Sequence, residues 1–297
     1  MNKLKNYIWK NRNIKLNYHV SGLTSLGIGG KAHFYLQANS TDEVREAARI
    51  CSLNKIKVFV IGSGTNVLFN EGFLDIFLVK LGKNFSLINI LPDGSIKVGA
   101  SYNLSKFVVY AAKSGIDFSF LAGIPGTVGG AVKGNSGRKN KSICNYVQEI
   151  ECIMAGGKLE KIKIGSNMYG YRRLSVPGLV AITSVVLKGD AGSKKDILKN
   201  IKERIKQKKG TQPINTKNAG CFFKNPNGSS AGKLIEESRL KGFRYGGAVI
   251  SEKHANFIIN YDNASAEDIM VLSRIIKEIV WDKSGIHLNN EVVTVGF

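Results

Sequence analysis

Between Leu121 and Gly137 the chain reads LAGIPGTVGGAVKGNSG, six glycines around one proline. That density of glycine argues against a helix or an ordinary strand. The expectation is a loop lying against a ligand, because glycine reaches positive φ and lets backbone N–H groups approach phosphate oxygens. One such run by itself reads better as a tight structural turn. Here Ile61-Gly62-Ser63-Gly64-Thr65-Asn66 follows an apolar strand, and Gly27-Ile28-Gly29-Gly30 precedes both. Three runs in the first half of the chain point to a large phosphate-bearing cofactor.

The surroundings of these runs exclude the common dinucleotide fold. In GSGTNVLF, Val67 stands where a third glycine belongs, and Asn70-Glu71-Gly72 opens no amphipathic helix. Ser40-Thr41-Asp42-Glu43 reads as a capping box for a helix carrying Val44, Ala47, Ala48 and Cys51 on one face. Pro92-Asp93-Gly94 joins the strands of a hairpin, and Leu104, Phe107, Val108, Ala111 and Ala112 line a helix that stops at Gly115. Short β-like runs follow at Ile150 to Ile153, Leu159 to Ile164 and Val180 to Val186. A basic helix with Ile197, Ile201 and Ile205 is expected to end at Gly210. Ser265 caps a last helix ending at Gly285, and Ile286 to Val295 reads as a closing strand. The class is α+β.

A chain of 297 residues can bury a core without covalent staples. Cys51, Cys144, Cys152 and Cys221 form no CxxC pair, and His19, His33, His254 and His287 are scattered, so neither a disulfide framework nor a metal site is suggested. No apolar run reaches the roughly 18 residues that span a bilayer. The basic start (Lys3, Lys5, Lys10, Arg12) has no apolar stretch of a signal peptide, and the expected location is the cytoplasm. The net charge of +21 raises nucleic acid as a partner, but the lysines are spread along the chain and no nucleic-acid-binding motif focuses them. A field of that sign also attracts small anions.

Outside the glycine runs, Ala219-Gly220-Cys221-Phe222-Phe223-Lys224-Asn225-Pro226 sets a thiol, an ammonium and a carboxamide close together. Tyr171-Arg172-Arg173 and Leu288-Asn289-Asn290-Glu291 place polar groups inside β-like sequence. Each has a plain alternative: a small buried hydrophobe for Cys221, a surface ion pair for Arg172 or Glu291.

Taken in order, Thr24-Ser25-Leu26-Gly27-Ile28-Gly29-Gly30, VIGSGTNVLF, GIPGTVGGAV, Tyr171-Arg172, AGCFFKNP, AGKLIEESRLKG, Gly246 to Ser251, His254-Ala255-Asn256-Phe257 and LNNEV resemble the UDP-N-acetylenolpyruvoylglucosamine reductases, the MurB family. The resemblance runs from about Asn17 to Gly296. It implies an N-terminal segment (residues 1–23), a two-lobed FAD-binding domain of the vanillyl-alcohol oxidase (PCMH) type (24–188, lobes about 24–80 and 81–188), and an α+β substrate domain (193–297).

The same resemblance implies FAD held by Ile61, Gly62, Ser63, Gly64, Thr65 and Asn66 and by Gly123, Ile124, Pro125, Gly126, Thr127, Gly129, Gly130 and Ala131. The flavin is expected to be noncovalent, since these loops carry no His or Cys. NADPH as hydride donor, UDP-N-acetylglucosamine enolpyruvate as substrate and a monomer are implied with it. Arg172, Cys221 and Glu291 would be catalytic, and Tyr171, Arg172, Lys209, Lys224 and Asn225 would bind substrate. No metal and no nucleic acid are expected. Cys221 stands where many relatives carry serine, Leu174 where they often carry serine, and Arg239 where they often carry glycine. The short spacing from Arg172 to Cys221 resembles the subclass without an inserted substrate-clamping loop. An alcohol or amine oxidase on the same fold is disfavoured, because it would have no enolate to protonate.

Overall fold

A computed structural model describes residues 2–138 and 140–297, with side chains from Leu4 onward; the side chain of Lys3 in the basic start lies outside the described residues. The chain forms two compact units, each discontinuous in sequence. One comprises residues 1–18, 32–63 and 75–206, the other 19–31, 64–74 and 207–297.

Two larger sheets organise the first unit. Strands Ile14–His19, Lys31–Ala38, Phe73–Leu81 and Lys57–Ile61 lie side by side in that order. Lys57–Ile61 runs parallel to Phe73–Leu81, and the helix Thr41–Leu53 lies in sequence between the second strand and Lys57. That helix starts where the sequence predicts: the Glu43 N–H donates to Ser40 Oγ (3.2 Å) while Glu43 Oε2 accepts the Ser40 N–H (3.1 Å). Its face of Val44, Ala47, Ala48 and Cys51 packs with Phe34, Leu36, Phe77 and Val79. The second sheet is antiparallel, Leu159–Lys163, Val147–Met154, Leu179–Leu187, Ile96–Gly99 and Ile88–Ile90. The helix Leu104–Lys113 supplies Phe107 and Ala111 to the core it shares with Ile96, Val98 and Val185.

The second unit is built on the helix Ala266–Ser284 and a three-stranded antiparallel sheet of Arg244–Tyr245, Ala248–Ile250 and Ile258–Asn260. The helix is about 28 Å long at 1.5 Å per residue. Ile269, Leu272, Ile276 and Val280 are buried along one stripe, and Gly285 ends it in the left-handed conformation (φ 66°). The shorter helix Ala231–Glu237 ends in the same manner: the Leu240 N–H reaches the Ile235 carbonyl (3.3 Å) and the Arg239 N–H that of Glu236 (2.9 Å). Arg239 there has φ 59°. It occupies the left-handed C′ position that glycine fills without strain, which explains why glycine belongs at this place.

Three expectations are corrected. The Leu121–Gly137 stretch is not loop throughout, since Val128–Lys133 is a helix. Its glycine is a packing requirement, because a Cβ on Gly129 would lie 2.7 Å from the Ala100 Cβ. The basic helix Lys194–Thr211 runs through Gly210 and ends ahead of Pro213, whose ring disfavours helix in the residue before it. The closing strand is only Val293–Val295, paired in parallel with Val67–Phe69. Residues 289–291 give their backbone groups to Phe222 and Lys224 instead, so no single ladder continues through them.

Candidate active site

In the first unit, Ile61 to Ser63 leave the end of the Lys57–Ile61 strand, and the second glycine loop meets them there. A Cβ on Gly62 would lie 2.7 Å from Thr127 Oγ1. Gly123 and Gly126 adopt positive φ (74° and 126°). The Val128–Lys133 helix does not offer its N-terminal N–H groups to a ligand. Val128 donates to the Tyr102 carbonyl (2.9 Å), Gly129 to that of Ala100 (2.9 Å), Gly130 to Thr127 Oγ1 (3.2 Å) and Ala131 to the Thr127 carbonyl (2.9 Å). The donors that remain precede the helix. Among the described residues, the N–H groups of Gly62, Ser63, Gly126 and Thr127 donate to no other group of the chain. Peptide donors of which Gly62, Gly126 and Thr127 are half-buried and Ser63 is exposed, beside positions with no side chain, fit a diphosphate-bearing cofactor.

Arg172 sits at the tip of a tight hairpin, Tyr169–Gly170 paired with Arg173–Leu174, with φ 55°. A left-handed arginine costs on the order of 1 kcal/mol and persists where its surroundings impose it. Those surroundings are the end of the glycine stretch. Asn135 Nδ2 donates to the Gly170 carbonyl (2.8 Å), and Arg172 Nη1 donates to the Gly137 carbonyl (3.1 Å). Leu174 is buried in the core, so apolar packing claims the position where the resemblance leads one to expect serine. Tyr171 is exposed, with its ring centroid 5.2 Å from the Arg172 guanidinium carbon. Asn135 is buried and escaped the sequence reading. Only its place two residues before Gly137 hinted at a role.

In the second unit, four segments are tied together by their backbones. Glu291 N–H donates to the Phe222 carbonyl (2.8 Å) and Lys224 N–H to that of Asn289 (2.8 Å), so the segment after Cys221 pairs with the segment ending at Glu291. Asn66 Nδ2 donates to the Glu291 carbonyl (3.2 Å), and the Val293 N–H returns to the Asn66 carbonyl (3.1 Å). Ser25 Oγ contacts the carbonyls of Gly64 (3.2 Å) and Asn218 (2.6 Å). Cys221 and Lys224 are half-buried, as is Glu291.

Other expected positions also have packing or hydrogen-bond partners within the chain. Gly64 and Gly30 are demanded by chain packing: a Cβ would strike the Leu23 backbone in the first case and the Glu71 and Gly72 carbonyls in the second. The Gly27 to Gly30 run is thus a close backbone crossing. Asn225 Oδ1 accepts the Ala231 N–H (3.1 Å) at the start of the Ala231–Glu237 helix. Lys209 lies exposed in the last turn of the Lys194–Thr211 helix, where a cation complements the helix dipole, and its carbonyl accepts Lys253 Nζ (2.5 Å). His254 accepts the Asn256 N–H at Nδ1 (3.3 Å), and burial holds its pKa below the usual histidine value, which keeps that nitrogen an acceptor.

Comparisons with known proteins identify the family. An FAD-binding domain family matches residues 32–163, and the C-terminal domain family of UDP-N-acetylenolpyruvoylglucosamine reductase matches residues 212–295. The enzyme of that name from Prochlorococcus marinus is 37% identical over 96% of this chain and 98% of its own length. Its namesake from Rickettsia typhi is 33% identical over 95% of both chains. The crystal structure of the Thermus caldophilus reductase superposes with a TM-score of 0.81 at 32% identity, covering 95% of this chain and 98% of that one. The chain belongs to the UDP-N-acetylenolpyruvoylglucosamine reductase (MurB) family of FAD-dependent oxidoreductases.

Proposed function

We propose that the protein reduces UDP-N-acetylglucosamine enolpyruvate to UDP-N-acetylmuramate with NADPH and noncovalent FAD, a step of peptidoglycan precursor synthesis. The observation that carries this reading is the pairing of Phe222 and Lys224 with Asn289 and Glu291, which joins the segments of two proton-bearing groups, a thiol and a carboxyl. The open N–H groups of Gly62, Ser63, Gly126 and Thr127 support the cofactor part of it.

Bound FAD would receive hydride from NADPH and supply it to the methylene carbon of the enolpyruvyl ether. The negative charge that develops is conjugated with the substrate carboxylate. Arg172 pairs with that carboxylate through two parallel N–H donors and offsets the charge, a kind of stabilisation worth about 10² to 10³ in rate. The Cys221 thiol gives its proton to the α-carbon. The S–H bond breaks as the C–H bond forms, and the thiolate regains a proton from solvent. Glu291 serves as a hydrogen-bonding partner at the reacting end. Lys209, Lys224 and Asn225, with Tyr171, bind the uridine diphosphate portion.

An anaerobic visible spectrum tests both halves in one cuvette. Flavin absorbance should bleach on adding NADPH and return on adding the enolpyruvyl sugar. Bleaching without return removes the substrate from the proposal, and failure to bind any flavin removes the cofactor.

A further inference from the structure

Between Ala219 and Asn225 the chain forms no regular strand, yet Phe222 and Phe223 are almost fully buried (1% exposed each). Their backbone groups need partners on both sides, because an unpaired buried peptide group is costly. On one side stand residues 289–291. On the other a single residue does the work of a strand: Asn256, 2% exposed.

Asn256 meets the segment at three points. Its carbonyl accepts the Phe222 N–H (2.8 Å), its Oδ1 accepts the Phe223 N–H (2.9 Å), and its Nδ2 donates to the Phe223 carbonyl (2.8 Å). A carboxamide carries the same donor and acceptor as a peptide unit, so it can replace the neighbouring strand that is missing here. Asn256 is itself held through its N–H by His254 Nδ1 and sits directly before Phe257 in the turn that leads to the Ile258–Asn260 strand. The turn ahead of the Ile258–Asn260 strand, which lies at the edge of its three-stranded sheet, is thereby linked to the residues that follow Cys221.

We propose that Asn256 is a positioning residue that fixes the Cys221 thiol in its proton-donating orientation. This rests on the function proposed above. Asn256 acts by holding Phe222 and Phe223, and with them the backbone that follows the thiol. A displacement of about 1 Å at a reacting group costs about 10² in rate. The hydride-accepting half-reaction asks nothing of the thiol, so Asn256 should matter to one half-reaction only.

The test uses Asn256→Ala and Asn256→Asp in the flavin-loaded protein, with two readouts. In rapid mixing, flavin reduction by NADPH should stay within about 2-fold of the unsubstituted protein, while reoxidation by the enolpyruvyl sugar falls by about 10². A protonated aspartic acid restores both the acceptor and the donor, so Asn256→Asp should recover reoxidation relative to the unsubstituted protein as pH falls from about 8 to about 5.5. The second readout needs no turnover. Cys51, Cys144 and Cys152 are buried, and burial pushes their thiols up to about 12, 12 and 11. Rapid labelling by an aromatic disulfide therefore reports on Cys221, and Asn256→Ala should speed it by about 10-fold as the segment loosens.

Equal loss in both half-reactions with unchanged labelling would make Asn256 a general packing residue and overturn the proposal. An absence of acid recovery in Asn256→Asp, with labelling unchanged, does the same should Asn256→Ala fail to fold. If the unsubstituted protein is not reoxidised by the sugar, the function falls, and the labelling rates alone still decide whether Asn256 governs the thiol.

Discussion

At the scale of single residues, Cys221 sets the chemistry most open to test. A thiol, with an ordinary pKa of about 8.5, is a stronger acid than a serine hydroxyl, and a thiolate cannot donate a proton. Loss of activity on the alkaline side should therefore follow the thiol and move to higher pH in Cys221→Ser. Rate profiles of reoxidation for the two proteins check this, and a common alkaline limb would take the donor role away from Cys221. Arg239 offers a stability test free of catalysis. It is exposed at φ 59° in a helix C′ position, where a Cβ is strained. Arg239→Gly should raise stability by roughly 0.5–1 kcal/mol, read from urea unfolding.

At the scale of elements, the Val128–Lys133 helix separates two uses of glycine. Gly129 faces Ala100 so closely that Gly129→Ala should lose about 1–3 kcal/mol by overpacking, whereas an Ala at Gly130 meets only Thr127 Oγ1 at 3.3 Å. Thermal midpoints of the two variants should differ, with Gly129→Ala the lower; equal values would show that the helix shifts freely. The long helix Ala266–Ser284 carries a pH signature. Asp268 accepts the Ser265 N–H (2.9 Å), which is the largest influence holding its pKa below the usual value, and the Gly247 N–H (3.2 Å) adds to it. A depressed folded-state pKa contributes stability above the unfolded value of about 4, and that contribution fades as pH falls through the folded value. Asp268→Asn should flatten the fall of thermal midpoint below pH ~4, and parallel acid curves would mean the cap carries no such weight.

For the whole molecule, the cofactor is the main lever on stability. A ligand that binds only the folded chain adds about 2.7 kcal/mol at a hundredfold excess over its dissociation constant. Apoprotein titrated with FAD should therefore melt progressively higher, by about 5 °C at that excess. A midpoint indifferent to FAD would contradict the family assignment at its most basic level.

Local physics made much of this legible in the residues themselves. Capping boxes at Ser40 and Ser265, the apolar stripes behind them and the αL glycine at Gly285 depend on neighbours within a turn or two, so spacing suffices to read them. The ordered motifs gave the family and its FAD for the same reason. What depended on distant chain was hidden. No local pattern marks Gly129 as packing on Ala100, Gly30 as crossing Glu71 and Gly72, or Asn135 as the support of the Arg172 hairpin. Nor does any spacing show that Phe222 and Lys224 pair with residues 289–291, or that Asn256 stands in for the strand on their other side. Hydrogen-bond satisfaction of a buried irregular segment is met by whichever groups the tertiary fold brings near, and only that fold decided which they are.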